Sequence, residues 1–177
     1  GVERYFARLV PIIREFVDVK STIIGLQIDN ETNFYFGDRY SSDYSVHGLA
    51  QLRGFLRTKY VTVAALNAAW GTSYASFDQA DPPRRRPDRN APVRENIRHQ
   101  DWFDAGHAGI EAFHGQLRAI WERLGVREPD LLFCTNDSPH TFIGRDLSQW
   151  RGATKNTGGV AMLDAYPKQL PTSGGKP

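Results

Sequence analysis

Hydrophobic residues recur at steps of three and four along four segments of the chain, which is the spacing of one helix face. The predicted helices cover Val2–Phe16, Val46–Tyr60, Thr62–Ala69 and Val93–Leu124. Pro11 lies inside the first of them, and a proline in a helix interior costs about 3 kcal/mol. We therefore expect that helix to bend or restart near Pro11. Gly71 and Gly125 follow the last two helices, in the position where glycine commonly ends a helix.

Between the helices lie short, continuous apolar runs, which are typical of strands buried on both faces. These runs are Thr22–Ile28, Leu131–Thr135 and Val160–Leu163. Helices and strands alternate along the chain, and this alternation predicts a parallel sheet covered by helices. The fold class is therefore α/β. A short helix ending at Trp150 is also predicted.

Polar residues follow each predicted strand, as Asn30-Glu31, Asn136-Asp137 and Asp164 with Tyr166. The carboxyl ends of parallel strands meet at one edge of a sheet, where barrel and open-sheet enzymes hold their reactive groups. We expect these residues to share that edge, with Asn30-Glu31 as the first candidate for a catalytic pair. The alternative is a strand that runs into a loop of ordinary polar residues.

Length, composition and net charge favour a globular domain over a nucleic-acid-binding or membrane protein. The 177 residues suffice for one domain, and 40% hydrophobic with 24% charged residues is typical of a globular protein. A net charge of +2 is too small to argue for a nucleic-acid or membrane partner, and no apolar run approaches a membrane span. The chain opens on Gly1 and an uncapped helix without a signal pattern, so we expect a piece of a longer chain. Its location is unknown, and the cytoplasm is favoured over secretion.

Three features carry weaker chemical signals. Cys134 is the only cysteine, so it excludes an internal disulfide and a cysteine-rich zinc site, and we expect it to be a buried hydrophobe. The Pro82–Pro87 cluster contains three arginines that could hold phosphate, but its prolines and flanking aspartates favour a solvated loop. The five histidines have no metal-ligand spacing; His107 and His114, for example, are seven residues apart.

Three stretches resemble glycoside hydrolase family 42, the barrel β-galactosidases of clan A. Gly25–Glu31 resembles the strand that carries the acid/base of that family. Leu66–Thr72, followed by Tyr74, Ser76 and Phe77, resembles a segment after the next helix, and Val160–Pro167 resembles the sixth strand. The resemblance implies a (β/α)₈ TIM-barrel glycosidase that cleaves terminal β-galactosides with retention. It also implies that this chain covers only about strands 4 to 6.

The resemblance implies roles for particular residues. Glu31 matches the general acid/base, and Asn30 matches the neighbour that contacts the sugar 2-hydroxyl. Tyr166 matches a position where clan members often hold a residue near the nucleophile. Asn136 is expected to bind substrate from the same edge. The nucleophile of the family is a glutamate on the seventh strand, whereas no glutamate follows Glu128, so we expect the nucleophile outside this chain.

Further expectations follow from the same resemblance. Residues 1–170 would be a partial barrel catalytic domain and residues 171–177 a flexible tail. Many family members bind zinc through a cysteine cluster, but residues 38–47 contain no cysteine, so no metal and no cofactor are expected. Three strands leave open edges, which favours a homo-oligomer or association with the remaining barrel segments.

Two other function classes remain open at this stage. The chain could belong to a barrel that binds carbohydrate without cleaving it, or serve as a purely structural fragment. Among enzymes, another clan A hydrolase acting on xylosides, mannosides or agar-type galactans would carry a similar acid/base strand.

Overall fold

A computed structural model describes residues 1–19, 23, 25–30, 43–126, 131–137 and 162–163. Along the chain it contains α1 (Val2–Arg14), a π-helical turn (Glu15–Val19), β1 (Gly25–Asn30), α2 (Val46–Tyr60), α3 (Val63–Trp70), a 3₁₀ turn (Phe77–Gln79), α4 (Val93–Arg123), β2 (Leu132–Asp137) and β3 (Met162–Leu163). The predicted helix ending at Trp150 and the predicted tail at 171–177 lie outside these residues.

The helices predicted from the hydrophobic period are present. Capping side chains at the starts of α2 and α3 and glycines after α3 and α4 explain these bounds. α2 has the predicted bounds, and the hydroxyl of Ser45 accepts a hydrogen bond from the amide of Gly48 at its start. Thr62 caps α3 in the same way through the amide of Ala65, and Gly71 ends it in the left-handed region at φ 68°. Gly125 also has a positive φ, 85°, one residue beyond the predicted end of α4. Glycine adopts this conformation without the strain that a Cβ would bring.

One helix prediction needs correction. α1 does not restart at Pro11 but continues to Arg14, and a π-helical turn follows it. A proline removes only one backbone hydrogen bond, and neighbouring residues of α1 pack on the core through Phe6, Leu9 and Ile13. We attribute the continuity of the helix to this packing, which outweighs the local penalty.

The three strands form a parallel sheet in the order β1-β2-β3, as the alternation predicted. β1 and β2 extend two residues further toward their carboxyl ends than the predicted strands. Their polar ends stay in the ladder because the backbone of each is paired across the sheet, as in Asn30 with Asn136. Hydrophobic runs mark buried side chains, whereas backbone pairing decides where a strand ends.

The register between β1 and β2 contains a bulge. Gln27 is paired with Cys134 and Asp29 with Thr135, so Ile28 is an extra residue on β1. Side chains of a strand alternate between its two faces, and one extra residue shifts that alternation beyond it. Positions after Ile28 therefore exchange faces relative to an unbulged strand.

The first core cluster lies between one face of the sheet and two helices, α1 and α4. Phe6 of α1 stacks on Trp121 of α4 with ring centroids 4.1 Å apart. The buried members of this cluster are Phe6, Ile28, Leu117, Trp121, Val126, Leu131 and Phe133. On the opposite face of the described sheet, Gln27 is exposed and Leu132 remains 47% exposed. The helices thus cover one face of this α/β segment.

The second core cluster joins α2, α3 and the first half of α4. Its buried members are Leu52, Leu56, Leu66, Trp70, Ala80, Trp102 and Ala105. The chain after α3 is held by the Asn67 side chain, which accepts hydrogen bonds from the Tyr74 amide (2.9 Å) and the Thr72 hydroxyl (2.8 Å). It also donates to the Tyr74 carbonyl at 2.8 Å. Within the described ranges, no helix combines the length and apolar character needed to cross a membrane.

Candidate active site

The carboxyl ends of the strands lie side by side, which confirms this part of the prediction at the level of the backbone. Asn30 of β1 is the register partner of Asn136 of β2, and Asn136 is in turn paired with Met162 of β3. Paired strands run about 4.8 Å apart, so these positions form one continuous edge. Carboxamides at such an edge are able to donate and accept hydrogen bonds, as recognition of sugar hydroxyls requires.

The other predicted site residues lie beyond these strand ends. Glu31 follows Asn30 directly, and Tyr166 comes three residues after Leu163; neither belongs to the described residues. Asp164 also lies outside them. For Asn30 and Asn136 the structure describes the backbone, and their side chains are outside the described part. The catalytic role of Glu31 and the substrate-binding roles of Asn30, Asn136 and Tyr166 stay predictions.

The described residues include a buried histidine on α4. His114 of α4 is fully buried, and burial lowers the pKa of its imidazole because the charged form loses its hydration. The carboxylate of Asp29, the residue before Asn30, acts in the opposite direction and raises that pKa. The sequence held a signal for this histidine, since it interrupts the apolar stripe formed by Ile110, Leu117 and Trp121.

The burial of His114 predicts that the free energy of unfolding depends on pH. Its pKa is lower in the folded protein than in the unfolded chain, so the unfolded chain binds more protons below pH 6.5. The free energy of unfolding should therefore fall as pH decreases from 7.5 to 5.5, with a contribution from this group of at most about 1.4 kcal/mol per pH unit. Urea unfolding of the wild type and of His114→Gln measures it. Identical pH dependence in the two proteins would contradict the prediction.

The described structure also contains a buried carboxylate, away from the strands. Asp101 of α4 is fully buried and accepts hydrogen bonds from the Lys59 ammonium (2.6 Å), the Tyr60 hydroxyl (2.7 Å) and the Trp70 indole (2.7 Å). Burial and the hydrogen bond to Asp101 both raise the pKa of Tyr60. Because three donors from α2 and α3 satisfy this carboxylate within the second core cluster, its role is structural.

The arginine cluster after α3 is exposed, as a solvated loop would be. Arg84 lies over the ring of Tyr44, 4.0 Å from its centroid, and bonds to the carboxylate of Asp81. A shallow cavity of about 430 Å³ runs along this loop, and Asp88 and Glu95 line it together with the arginines. The carboxylates offset part of the positive charge of the arginines. The groove is therefore not a strongly basic pocket for an anion.

Two further kinds of reactive group are metal-ligand clusters and thiols. Among the described residues, no group of three or more His, Cys, Asp or Glu side chains is arranged to hold a metal ion. The absence of a metal in the protein stays a prediction. Cys134 is buried, as expected, and burial raises the pKa of its thiol, which disfavours the reactive thiolate.

The sequence profile of one glycoside hydrolase family, described as β-galactosidase, matches residues 3–171. This chain belongs to glycoside hydrolase family 42. The resemblance of the three sequence stretches is thus confirmed across almost the whole chain.

Solved structures of TIM-barrel glycosidases show the same fold over about a quarter of their length. A β-galactosidase from the psychrophilic Marinomonas ef1 has a TM-score of 0.62 at 23% identity, over 94% of this chain and 24% of that one. The protein PfGH50B matches with a TM-score of 0.61 at 18% identity, over 93% of this chain and 23% of its own. An exo-β-agarase matches with 0.54 at 24% identity, over 84% of this chain and 20% of its own.

A sequence relative matches over a shorter stretch. The thermophilic β-amylase of Thermoanaerobacterium thermosulfurigenes is 42% identical over 40 residues, which are 23% of this chain and 7% of that enzyme. The family 42 chain is therefore an α/β segment that spans a small part of the relatives it matches.

Proposed function

We propose that this family 42 chain supplies the acid/base half of the active site of a retaining hydrolase for terminal β-galactosides or related β-glycosides. The observation that carries the proposal is the register of β1 and β2, which pairs Asn30 with Asn136 at one strand-end edge. Glu31 is the next residue after Asn30 in the sequence. The family membership over residues 3–171 supports the reaction class.

In this mechanism Glu31 acts twice on one side of the scissile bond. Its carboxylic acid first donates a proton to the glycosidic oxygen, so the aglycone leaves as a neutral alcohol while the nucleophile bonds to the anomeric carbon. The resulting Glu31 carboxylate then takes a proton from water, which displaces the nucleophile and releases the sugar. Asn30 binds the sugar 2-hydroxyl, and Asn136 and Tyr166 contact the substrate from the neighbouring strands.

The nucleophile comes from outside this chain. Retention requires a second carboxyl group about 5–5.5 Å from the first, and we infer that β1, β2 and β3 correspond to strands 4, 5 and 6 of a barrel. The exposed face with Gln27 and Leu132 and the strand edges would meet the remaining barrel segments. Residues 1–170 would then be part of the catalytic domain and residues 171–177 a flexible tail.

Hydrolysis of the nitrophenyl β-glycosides of galactose, glucose, xylose and mannose tests this proposal. We expect no turnover by the 177-residue chain and turnover by a form extended past Pro177, with galactoside preferred. Size-exclusion chromatography with light scattering accompanies the assay, since association of chains could complete a site. Turnover by a monomer of the 177-residue chain would contradict the placement of the nucleophile.

An agar-type galactan is the second candidate substrate, and a specific observation favours it over xylosides and mannosides. The fold matches an exo-β-agarase as well as a β-galactosidase. Release of reducing sugar from agarose oligosaccharides, with little turnover of nitrophenyl β-galactoside, would select this alternative. Binding of galactose without turnover of any substrate in the extended form would select a non-catalytic carbohydrate-binding barrel.

A further inference from the structure

We propose that Asp29 and His114 form a positioning pair, which anchors the end of β1 to α4 just before Asn30 and Glu31 in the sequence. The inference rests on the proposed function, because it concerns how the acid/base is held for that reaction. Neither residue would touch the substrate. Their role would be to fix the backbone from which the reacting groups extend.

The bulge at Ile28 brings Asp29 to the side of the sheet that α4 covers. Asp29 is paired with Thr135, which shares a face of β2 with Phe133 by the alternation of the strand. Phe133 is fully buried in the first core cluster, beneath α4. Without the extra residue, Asp29 would follow Gln27 onto the opposite, exposed face. The bulge therefore places a carboxylate on the face of the sheet that α4 covers.

His114 lies on α4 at about the same height along the strand direction as Asp29. The C-terminal end of α4 lies at the beginning of β2, because Val126 and Leu131 share the first core cluster. The helix thus runs back against the strands, and earlier residues of α4 lie closer to the strand ends. Leu117 is in the same cluster as Ile28; His114 precedes it by three residues, or about 4.5 Å along the helix axis. Asp29 lies about 3.3 Å beyond Ile28 in the same direction.

The chemistry of the two groups is complementary. A fully buried imidazole needs a hydrogen-bonding partner, and burial keeps His114 in the neutral form, which retains one N–H donor. Asp29 is only partly buried, so its carboxylate stays hydrated in part while its charge acts on His114. An imidazole donating to a carboxylate holds both side chains in one orientation, as it does behind metal ligands.

The pair would matter because the acid/base must be held within a fraction of an ångström. Bulges beside active sites redirect a side chain, and this one ends two residues before Glu31. A misplacement of about 1 Å lowers rates by about two orders of magnitude. Loosening the strand end should therefore lower kcat more than it raises KM, since the sugar is bound by other residues as well.

Kinetics of the full-length enzyme test the positioning role. We expect Asp29→Asn and His114→Leu each to lower kcat for nitrophenyl β-galactoside about tenfold, with KM changed less than about threefold. The double variant should be no slower than either single variant, and His114→Gln should recover most of the rate. Gln116→Leu is the matched control, because Gln116 is exposed on the same helix and its replacement should leave kcat unchanged. Additive losses in the double variant would overturn the pair.

Proton NMR titration of the imidazoles gives a second readout that does not depend on turnover. Asp29→Asn removes the charge that raises the pKa of His114, so this pKa should fall further below its wild-type value. His114→Gln identifies the resonance among the five histidines. An unchanged titration in Asp29→Asn overturns the pair, and a shifted titration with unchanged kcat overturns its positioning role. Absence of hydrolysis in the extended wild type would count against the proposed function instead.

Discussion

Replacing Glu31 with glutamine in the full-length enzyme should lower the rate of β-galactoside hydrolysis by about two to four orders of magnitude. Glutamine has nearly the same shape but has no acidic proton to give to the leaving oxygen, and it is no base for the attacking water. The fold should be unaffected, because a polar residue of nearly equal volume replaces Glu31. Steady-state kinetics with nitrophenyl β-galactoside, together with circular dichroism, measure both parts of the prediction.

The leaving group provides a sharper form of this test. A phenolate with a low pKa departs without protonation, so the first chemical step of Glu31→Gln should be impaired far less with dinitrophenyl than with alkyl β-galactosides. Glu122→Gln is the matched control, since Glu122 is exposed on α4 and pairs with Arg118 across one helical turn. Its rate should equal that of the wild type. Full activity of Glu31→Gln would remove Glu31 from the acid/base role.

The second large effect concerns stability. Asp101→Asn should lower the free energy of unfolding by about 3 kcal/mol. Removing one member of a buried, hydrogen-bonded charge group leaves its partners without their acceptor and counter-charge. Asparagine presents an NH₂ group where the carboxylate accepted hydrogen bonds from Lys59, Tyr60 and Trp70. For a chain of this size the melting temperature should fall by about 6–12 °C.

The next acidic residue of α4 offers a control for this measurement. Asp104 is partly exposed and interacts with the same lysine over 3.5 Å, so Asp104→Asn should change the free energy of unfolding by less than about 1 kcal/mol. Guanidinium unfolding of both variants gives the two free energies. Equal small losses would show that the network around Asp101 contributes no more than a surface ion pair.

The Asp101 network also explains one of the stretches that indicated the family. In Leu66–Thr72, Leu66 and Trp70 enter the second core cluster, Asn67 closes the turn and Gly71 ends the helix. None of these residues needs to touch a substrate for its role. The stretch is therefore diagnostic of the family through its packing, whereas the Asn30-Glu31 stretch is diagnostic through its expected chemistry.

Local features of the sequence determined the helices and the order of the elements. The 3.6-residue period of apolar positions, the capping residues Ser45 and Thr62, and the glycines after α3 and α4 act within a few residues of the chain. For this reason α2 was predicted to the residue and α4 to within one residue of its end. The alternation of apolar runs with helices likewise determined the parallel sheet, and the short motifs determined the family.

Only the tertiary structure decided how distant residues combine. The bulge at Ile28, the pairing of Asn30 with Asn136 and the burial of Asp101 and His114 depend on partners that lie far away in the sequence. Period and propensity carry no information about such partners, because each contact is selected by the packing of whole elements. Pro11 shows the same limit, since α1 continues through a residue at which the local rule allowed a restart.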